Sequence, residues 1–535
     1  MRLTKDILAT LTEYASRLEA AVQLRLQEPG AEAHPKREEL ETFLADFCSV
    51  SDQLELIHGD FGLRGPVSFD LCVDGQPQGV LFSGVPGGHE FNSLVLAVLN
   101  AGGVPIKLDE AVQKLVGRVD ESLHFEVFVS LSCHNCPDVV QTLNQFALLN
   151  GQIRSEMIDG GLFPDVVEAR EIQGVPSVYL NGELFANGKV DAAKLVEKLI
   201  EQVPGLIEVQ SEPELPLQDV TVIGGGPAGV SAAIYAARKG LHTTLVTDRL
   251  GGQLKDTLGI ENLISVPYTT GPELSGALLN HMDQYDITLK ENVSVEQIEA
   301  VHGPKRVTLS TGEIIDTKTL VIATGARWRE LGVPGEKENI GNGVAFCPHC
   351  DGPFFKGKDV AVVGGGNSGI EAALDLCNIA SSVTVFEFLP DLKADDVLVK
   401  QAQSRDNITI HTNVAVQEIT AEGGKVNGLN YLDRASEASK AQTLDGVFVQ
   451  IGLIPNSQCV RDLVDVTQYG EIVVDDKCRT SVDGIFACGD VTTTPYKQII
   501  ISMGEGAKAS LSAFEYLLTE YAEAPQAEEV LEASA

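Results

Sequence analysis

Residues 218–240 read QDVTVIGGGPAGVSAAIYAARKG, and this stretch decides the fold of the C-terminal half. An apolar strand pattern runs into Gly224, Gly226 and Gly229, and a helical pattern follows. Backbone amides at such a helix start can approach a pyrophosphate closely. The next strand pattern, LHTTLVT, ends beside Asp248. The complete order of strand, glycine turn, helix and strand predicts a binding site for an adenine dinucleotide.

A second copy of this pattern lies at 358–377, KDVAVVGGGNSGIEAALDLC, with Gly364, Gly366 and Gly369 in the turn. The strand that follows ends at Glu387. A carboxylate at this point can accept hydrogen bonds from a ribose 2′-hydroxyl and repels a 2′-phosphate, and no arginine stands next to it in the sequence. The chain is therefore predicted to bind two dinucleotides, the second being NADH rather than NADPH.

A cysteine pair, Cys347 and Cys350, lies between the two glycine turns in the segment CPHCDG. A dithiol at this place has a use, because a flavin can pass two electrons to a disulfide. Asp351 follows directly and is placed in sequence to move a proton to a departing thiolate.

The N-terminal half contains another pair, Cys133 and Cys136, between an alternating strand pattern and a helical pattern in 124–149. This order is typical of a thioredoxin-like redox unit, and we expect the first cysteine at the helix start. Val175-Pro176, before the strand VYL, matches the position of a cis-proline beside such a disulfide. The Asn181-Gly182 turn after that strand indicates a hairpin.

The region before residue 110 carries the strand patterns VSFDLCV and GVLFSGV but no CxxC, which predicts a second thioredoxin-like unit without a disulfide. The segment 203–217 has three prolines and three glutamates, a composition typical of an extended linker. The acidic, alanine-rich residues 521–535 are predicted to form a tail.

Composition excludes several classes of function. The net charge of -37 over 535 residues opposes binding to nucleic acid and to anionic membranes. No apolar run is long enough to span a bilayer, so a cytoplasmic location is expected. Ten cysteines are too few for a disulfide scaffold, and we expect the six outside the CxxC pairs to be small core residues. A shared zinc site is disfavoured because the two CxxC pairs lie far apart in the sequence.

Several further segments carry a specific family resemblance. TLVIATGA (319–326), CPHCDG, GGGNSGIEAA, FVQIGLIPN (448–456) and the segment 485–510 resemble the low-molecular-weight thioredoxin reductases. Together with the CHNC unit, nearly the whole chain resembles the flavoprotein subunits of alkyl hydroperoxide reductases, which are NADH-dependent peroxiredoxin reductases.

The resemblance implies an α/β fold with two dinucleotide-binding, Rossmann-like domains preceded by tandem thioredoxin-like folds. It implies that FAD is held with the help of Thr324, Gly325, Gly489 and Asp490. The predicted domains are 1–110, a thioredoxin-like fold without CxxC; 111–202, a thioredoxin-like fold with the CHNC pair; 203–217, a linker; 218–329 with 451–520, an FAD-binding domain in two segments; 330–450, an NADH-binding domain with the CPHC pair; and 521–535, the tail.

The resemblance also implies the electron path. NADH reduces FAD, and electrons then pass to Cys347–Cys350, to Cys133–Cys136 and to the disulfide of a 2-Cys peroxiredoxin. On this path Cys350 faces the flavin, Cys347 is the interchange thiol, and Cys133 attacks the external disulfide while Cys136 resolves it. A homodimer is expected.

Other functions and roles remain open. A thioredoxin or glutaredoxin reductase is the closest alternative, followed by a peroxide-forming NADH oxidase and a thiol-dependent binding module with a vestigial flavin. His134 either tunes Cys133 or is an exposed filler. Glu90 is either a buried acid serving Cys133 or an ordinary glutamate at a helix start.

Overall fold

The computed structural model describes residues 2–29, 34–133, 135–170, 172, 174–188, 190–203, 205–207, 213–257, 259–300 and 303–523, without the side chains of 256, 349, 350, 522 and 523. His134, the tail from 524 onward and residues 204 and 208–212 of the predicted linker therefore lie outside the described residues. The division into domains stays a prediction.

The helices are α1 Lys5–Ala15, α2 Arg37–Cys48, α3 Phe91–Ala101, α4 Glu110–Gly117, α5 Cys136–Leu149, α6 Pro164–Ala169, α7 Ala192–Gln202, α8 Pro227–Ala237, α9 Gly271–Met282, α10 Pro348–Asp351, α11 Asn367–Leu376, α12 Asp396–Gln403 and α13 Ile499–Glu523. The strands are β1 Val22–Gln27, β2 Leu54–Gly59, β3 Ser68–Val73, β4 Gln76–Ser83, β5 Leu123–Val129, β6 Ile153–Asp159, β7 Ser177–Leu180, β8 Glu183–Asn187, β9 Gln218–Ile223, β10 Thr243–Thr247, β11 Ile287–Glu291, β12 Val295–Glu299, β13 Lys305–Leu309, β14 Ile314–Ile322, β15 Ala326–Trp328, β16 Val344–Ala345, β17 Asp359–Val363, β18 Ser382–Phe386, β19 Ile408–His411, β20 Val414–Glu422, β21 Lys425–Asp433, β22 Ala438–Thr443, β23 Gly446–Val449, β24 Leu453–Pro455 and β25 Ile485–Ala487.

The N-terminal half contains one eight-stranded sheet in the order β2-β1-β3-β4-β6-β5-β7-β8. Its two halves have the same connectivity, since β1 pairs parallel with β2 and antiparallel with β3, and β5 pairs parallel with β6 and antiparallel with β7. The halves join through the parallel pair β4 and β6. The two thioredoxin-like folds expected from the sequence are confirmed, and they share a single sheet.

The local sequence explains these elements. Alternate residues of β1, namely Val22, Leu24 and Leu26, are completely buried, which is the period of a strand with one face on the core. Helix α2 buries Leu40, Phe43, Leu44 and Phe47, the helical spacing of one apolar face. Asn181 and Gly182 have positive φ angles in the turn between β7 and β8, as the hairpin prediction requires.

The C-terminal half contains two larger sheets. A seven-stranded sheet has the order β11-β10-β9-β14-β13-β12, with β25 paired to β14. A five-stranded sheet has the order β16-β23-β17-β18-β19, and all of its pairs are parallel. The antiparallel strands β20-β21-β22 form a third sheet, and β15 pairs with β24 in a short ribbon. The α/β class and its parallel, dinucleotide-binding sheets are confirmed. Among the described helices, none combines the length and the apolar character needed to cross a membrane.

Candidate active site

The first glycine turn connects β9 to α8. A Cβ on Gly229 would overlap the carbonyl oxygen of Gly224, so the absence of a side chain lets the helix pack directly on the end of the strand. A Cβ on Gly226, the residue that caps α8, would meet nothing within 4 Å. The turn therefore combines tight helix–strand packing with open space at the helix N-terminus, where a phosphate would be received.

The second glycine turn, between β17 and α11, repeats this arrangement. A Cβ on Gly369 would overlap the carbonyl oxygen of Gly364, whereas a Cβ on Gly366 would point into open space. Each turn is also tied to the end of the neighbouring strand. Gly225 donates its backbone N–H to the Thr247 hydroxyl at 3.0 Å, and Gly365 donates its N–H to the Glu387 carboxylate.

The acidic residues predicted at the two strand ends lie in different environments. Asp248 is exposed and lies one residue beyond β10, which ends at Thr247. Glu387 is buried, and its second oxygen accepts a hydrogen bond from the N–H of Leu389 at 2.7 Å. The sequence analysis missed Thr247, whose side chain accepts a backbone N–H of the first glycine turn as Glu387 does in the second. The hydroxyl in the signature LVTD was the available signal.

The remaining residues predicted to contact FAD lie where the seven-stranded sheet meets α13. The Thr324 hydroxyl donates to the carbonyl oxygen of Asn456 at 2.6 Å. In return, the Asn456 side-chain amide donates to the carbonyl oxygen of Thr324, and the Asn456 backbone N–H donates to the carbonyl oxygen of Gly325. The Asp490 carboxylate accepts a hydrogen bond from the Ser502 hydroxyl at 3.0 Å, and burial raises its pKa. Gly489 has a positive φ of 75° and packs against α8 through Ala228.

The CPHC pair lies beside the same region, with Cys347 directly before α10 and Cys350 within it. Cys347 is half-buried and disulfide-bonded, and its Sγ lies 4.0 Å from the side-chain Nε2 of Gln498, the residue before α13. The side chain of Cys350 lies outside the described residues. Asp351 donates its N–H to the carbonyl oxygen of Cys347 at 2.9 Å, and burial raises the pKa of its carboxyl group to about 6. This carboxyl group can hold a proton near neutral pH beside the disulfide.

The CHNC pair forms a disulfide between Cys133 and Cys136, with a Cα–Cα distance of 5.6 Å. Cys136 is completely buried, whereas Cys133 is partly exposed. The Sγ of Cys133 lies 3.7 Å from the carbonyl oxygen of Val175, and the Val175–Pro176 bond is cis. The predicted cis-proline beside the disulfide is confirmed.

One expectation for this pair was wrong. The helix α5 begins at Cys136, and Cys133 lies three residues earlier in the preceding loop. Pro137 explains the difference, because proline is favoured in the first turn of a helix and fixes its start. Cys133 therefore differs from Cys136 in being partly exposed, and not in lying in the first turn of the helix. This partial exposure makes Cys133 the cysteine that an external partner can reach.

Glu90 belongs to the first thioredoxin-like unit but lies next to the CHNC loop. The adjacent N–H of His89 donates to the carbonyl oxygen of Leu131 at 3.2 Å. The Glu90 side chain is completely buried and makes no capping bond to α3. Burial raises its pKa to about 7, and the charge of Asp138 adds to this effect. These features favour the buried acid over an ordinary helix-start glutamate.

The other cysteines and the zinc alternative can also be compared with the structure. Cys72, Cys377, Cys478 and Cys488 are buried free thiols, as expected, but Cys48 and Cys459 are only partly buried. Within the described ranges, no cluster of three or more histidine, cysteine or acidic side chains could hold a metal ion.

Comparison with known families places these sites in context. The family described as pyridine nucleotide-disulphide oxidoreductase matches residues 218–506, and a thioredoxin domain matches residues 123–201. In Pseudomonas aeruginosa, the alkyl hydroperoxide reductase subunit designated F is 48% identical over 489 residues, which cover 90% of this chain and 93% of that protein. The chain belongs to this family of F-type alkyl hydroperoxide reductase subunits.

Two other relatives are similar over most of the chain. The F-type alkyl hydroperoxide reductase subunit of Staphylococcus aureus is 47% identical over 90% of this chain and 94% of its own length. A Ferdinandcohnia aciditolerans protein named NADH dehydrogenase is 45% identical over 97% of this chain and 98% of its own length.

Two solved structures resemble a little over half of this family member. Thioredoxin reductase from Streptococcus pyogenes has a TM-score of 0.54 at 35% identity and covers 57% of this chain and 99% of its own. Thioredoxin reductase from Giardia duodenalis has a TM-score of 0.55 at 30% identity and covers 57% and 100%.

As a member of this family, the chain is an FAD-dependent oxidoreductase that uses a pyridine nucleotide, which confirms the enzyme class and cofactors expected from the sequence. The two glycine turns fit these dinucleotides, since each leaves open space at a helix N-terminus. The individual roles of the predicted residues stay predictions.

Substituting two glycines of the first turn should separate folding from FAD binding. Gly226→Ala adds a Cβ in the open space. It should leave the unfolding temperature of the flavin-free protein unchanged but lower the amount of flavin bound per chain. Gly229→Ala should lower the unfolding temperature itself, because its Cβ overlaps the strand end. Flavin absorbance and thermal unfolding measure the two effects, with Gly276→Ala in open space as the control. Full flavin content in Gly226→Ala would contradict this assignment.

Glu90→Gln should change how the stability of the N-terminal half depends on pH. Because the folded-state pKa is raised from 4.5 to about 7, the protonated group stabilises the fold below pH 4.5 and loses this contribution as the pH rises to 7. The loss amounts to about 3 kcal/mol at most. Denaturant unfolding of residues 1–202 from pH 4 to 9 should show this decline in the wild type and not in the variant. Parallel pH profiles would show that Glu90 is not a buried acid.

Proposed function

We propose that this chain transfers two electrons from NADH to the disulfide of a 2-Cys peroxiredoxin and so supports peroxide reduction. The net reaction is NADH + H⁺ + disulfide → NAD⁺ + dithiol. The observation that carries the proposal is the presence of two redox disulfides in one chain. One lies beside α13, and the other lies in a thioredoxin-like unit whose first cysteine, Cys133, is partly exposed.

The two dinucleotides are assigned to the two glycine turns. In this proposal Gly224, Gly226 and Gly229 hold the FAD pyrophosphate, and Asp248 binds its ribose. The further FAD contacts are Thr324, Gly325, Gly489 and Asp490. The second turn, formed by Gly364, Gly366 and Gly369, holds NADH, with Glu387 at the ribose. When bound, the flavin relays the two electrons of NADH to a disulfide.

The internal step is thiol–disulfide exchange. The Cys347 thiolate attacks the Cys133–Cys136 disulfide, forming a mixed disulfide and releasing one thiolate. Cys350 then attacks the sulfur of Cys347, which restores the CPHC disulfide and leaves Cys133 and Cys136 reduced. The Asp351 carboxyl group lies at the start of this path and donates or accepts the thiol proton, since its pKa of about 6 allows both states near neutral pH.

The external step repeats the same chemistry. The partly exposed Cys133 attacks the peroxiredoxin disulfide, and the buried Cys136 resolves the mixed disulfide, which closes the CHNC disulfide and releases a reduced peroxiredoxin. The thiolates of Cys133 and Cys136 need a nearby proton source. Glu90 can supply it, because it is buried next to the CHNC loop and its pKa lies near 7.

A peroxiredoxin is a better partner than thioredoxin for this arrangement. The thioredoxin reductases with similar structures cover only 57% of this chain, and the chain adds to them a unit that matches a thioredoxin domain. A reductase with its own thioredoxin-like unit needs no separate thioredoxin. The partner is then a protein that thioredoxin-like thiols reduce, in agreement with the relatives named alkyl hydroperoxide reductase subunits.

The remaining expectations complete this proposal. We place the protein in the cytoplasm, where NADH is available and where thiols stay reduced. We expect a homodimer, and no nucleic acid or membrane as partner, since the net charge of -37 opposes both.

NADH should reduce the flavin far more efficiently than NADPH, because the Glu387 carboxylate at the ribose position repels a 2′-phosphate. Stopped-flow flavin reduction under anaerobic conditions gives the efficiency with each nucleotide. Similar efficiencies would show that Glu387 does not select the cofactor.

Cys136→Ser should trap a mixed disulfide between Cys133 and an oxidised 2-Cys peroxiredoxin, since the resolving thiol is absent. Cys133→Ser is the matched control and should trap none at this site. Mass spectrometry of the unreduced adduct identifies the linked cysteines. A link through Cys136 or Cys347 would contradict the assignment, and capture of thioredoxin but not of peroxiredoxin would favour the thioredoxin reductase alternative.

A further inference from the structure

A large exposed aromatic ring stands beside the second glycine turn. Phe388 directly follows Glu387 at the end of β18, and it is 55% exposed. The neighbouring Leu389 is 38% exposed. Two adjacent large apolar side chains at the carboxyl end of a parallel strand form an apolar surface at the edge where such sheets bind nucleotides.

The segment that carries this ring is anchored at both ends. At its start, the Glu387 carboxylate accepts the N–H of Leu389 at 2.7 Å. At its end, Asp395 donates its N–H to the Asn367 side chain at 2.8 Å, and the Asn367 amide donates to the Asp395 carboxylate at 3.1 Å. Asn367 is the first residue of α11. The segment is therefore tied to the start of α11 and to the end of β18.

Arg434 adds a cation to the ring from another part of the chain. Its guanidinium carbon lies 4.0 Å from the centroid of the Phe388 ring. The guanidinium also donates to the carbonyl oxygen of Phe388 at 2.8 Å and contacts the Asn413 side-chain oxygen at 3.4 Å. These contacts fix Arg434 over Phe388, yet more than half of Phe388 stays exposed.

We propose that Phe388, braced by Arg434, is the platform on which the adenine base of NADH stacks. The inference rests on the proposed function, which places the adenosine ribose at Glu387. The base attached to that ribose then lies within reach of the next residue in the chain. Stacking between a base and an aromatic ring, strengthened by a nearby guanidinium, needs no hydrogen-bond partner. Phe388 thus supports the base, while Glu387 accepts hydrogen bonds from the ribose.

Binding of ADP-ribose, the part of NADH without nicotinamide, tests this platform separately from electron transfer. Isothermal titration of the flavin-loaded enzyme should show that Phe388→Ala raises the ADP-ribose dissociation constant about tenfold, the usual effect of removing one stacked ring. Phe388→Tyr should keep affinity near that of the wild type. Arg434→Gln should weaken binding by a smaller factor, about threefold.

Tyr469→Ala is the matched control, since it removes another aromatic side chain, 73% exposed, from outside the five-stranded sheet. It should bind ADP-ribose with wild-type affinity. The NADH concentration for half-maximal flavin reduction should rise in Phe388→Ala in parallel with the ADP-ribose constant.

Wild-type ADP-ribose affinity in Phe388→Ala would overturn the inference, and so would an equal loss in Tyr469→Ala. Failure of the proposed function would give a different result. NADH would then leave the flavin of the unaltered enzyme oxidised, while ADP-ribose binding would still depend on Phe388.

Discussion

Both dinucleotide sites depend on one close approach, in which a helix packs on the strand that precedes it. At Gly229 and Gly369 a single methyl group would collide with the carbonyl oxygen of the first glycine of the turn. The contact brings the N-termini of α8 and α11 to the ends of parallel strands, where backbone amides and the helix dipole favour a pyrophosphate. In the proposed function, this contact sets the place where each nucleotide binds.

Each disulfide has a carboxyl group near it whose pKa is raised by burial. Asp351 follows the CPHC pair, and Glu90 lies against the CHNC loop, with pKa values raised by burial to about 6 and about 7. Reduction of a disulfide takes up protons as well as electrons, so a group that titrates near neutral pH is useful at each exchange site. The two acids differ in their position along the chain. Asp351 directly follows its cysteine pair in sequence, whereas Glu90 belongs to the first thioredoxin-like unit and the CHNC pair to the second.

Local patterns were sufficient to predict the glycine turns, the CxxC pairs and the cis-proline, because each is encoded within a few consecutive residues, whereas the tandem thioredoxin-like folds were predicted with the help of the family resemblance. Contacts between distant residues were not predictable in this way. The union of both thioredoxin-like folds in one sheet depends on the pairing of β4 with β6, and the placement of Arg434 over Phe388 joins residues 46 positions apart. The start of α5 was misplaced because the effect of Pro137 on the helix boundary was not considered.

The central claim is that flavin and both disulfides form one connected chain of two-electron carriers. Anaerobic titration with NADH, followed by counting of free thiols, tests it directly. Since each carrier takes one two-electron equivalent, full reduction should consume about three equivalents of NADH per chain and release about four new thiols. Consumption of about two equivalents, with the Cys133–Cys136 disulfide still oxidised, would contradict the claim.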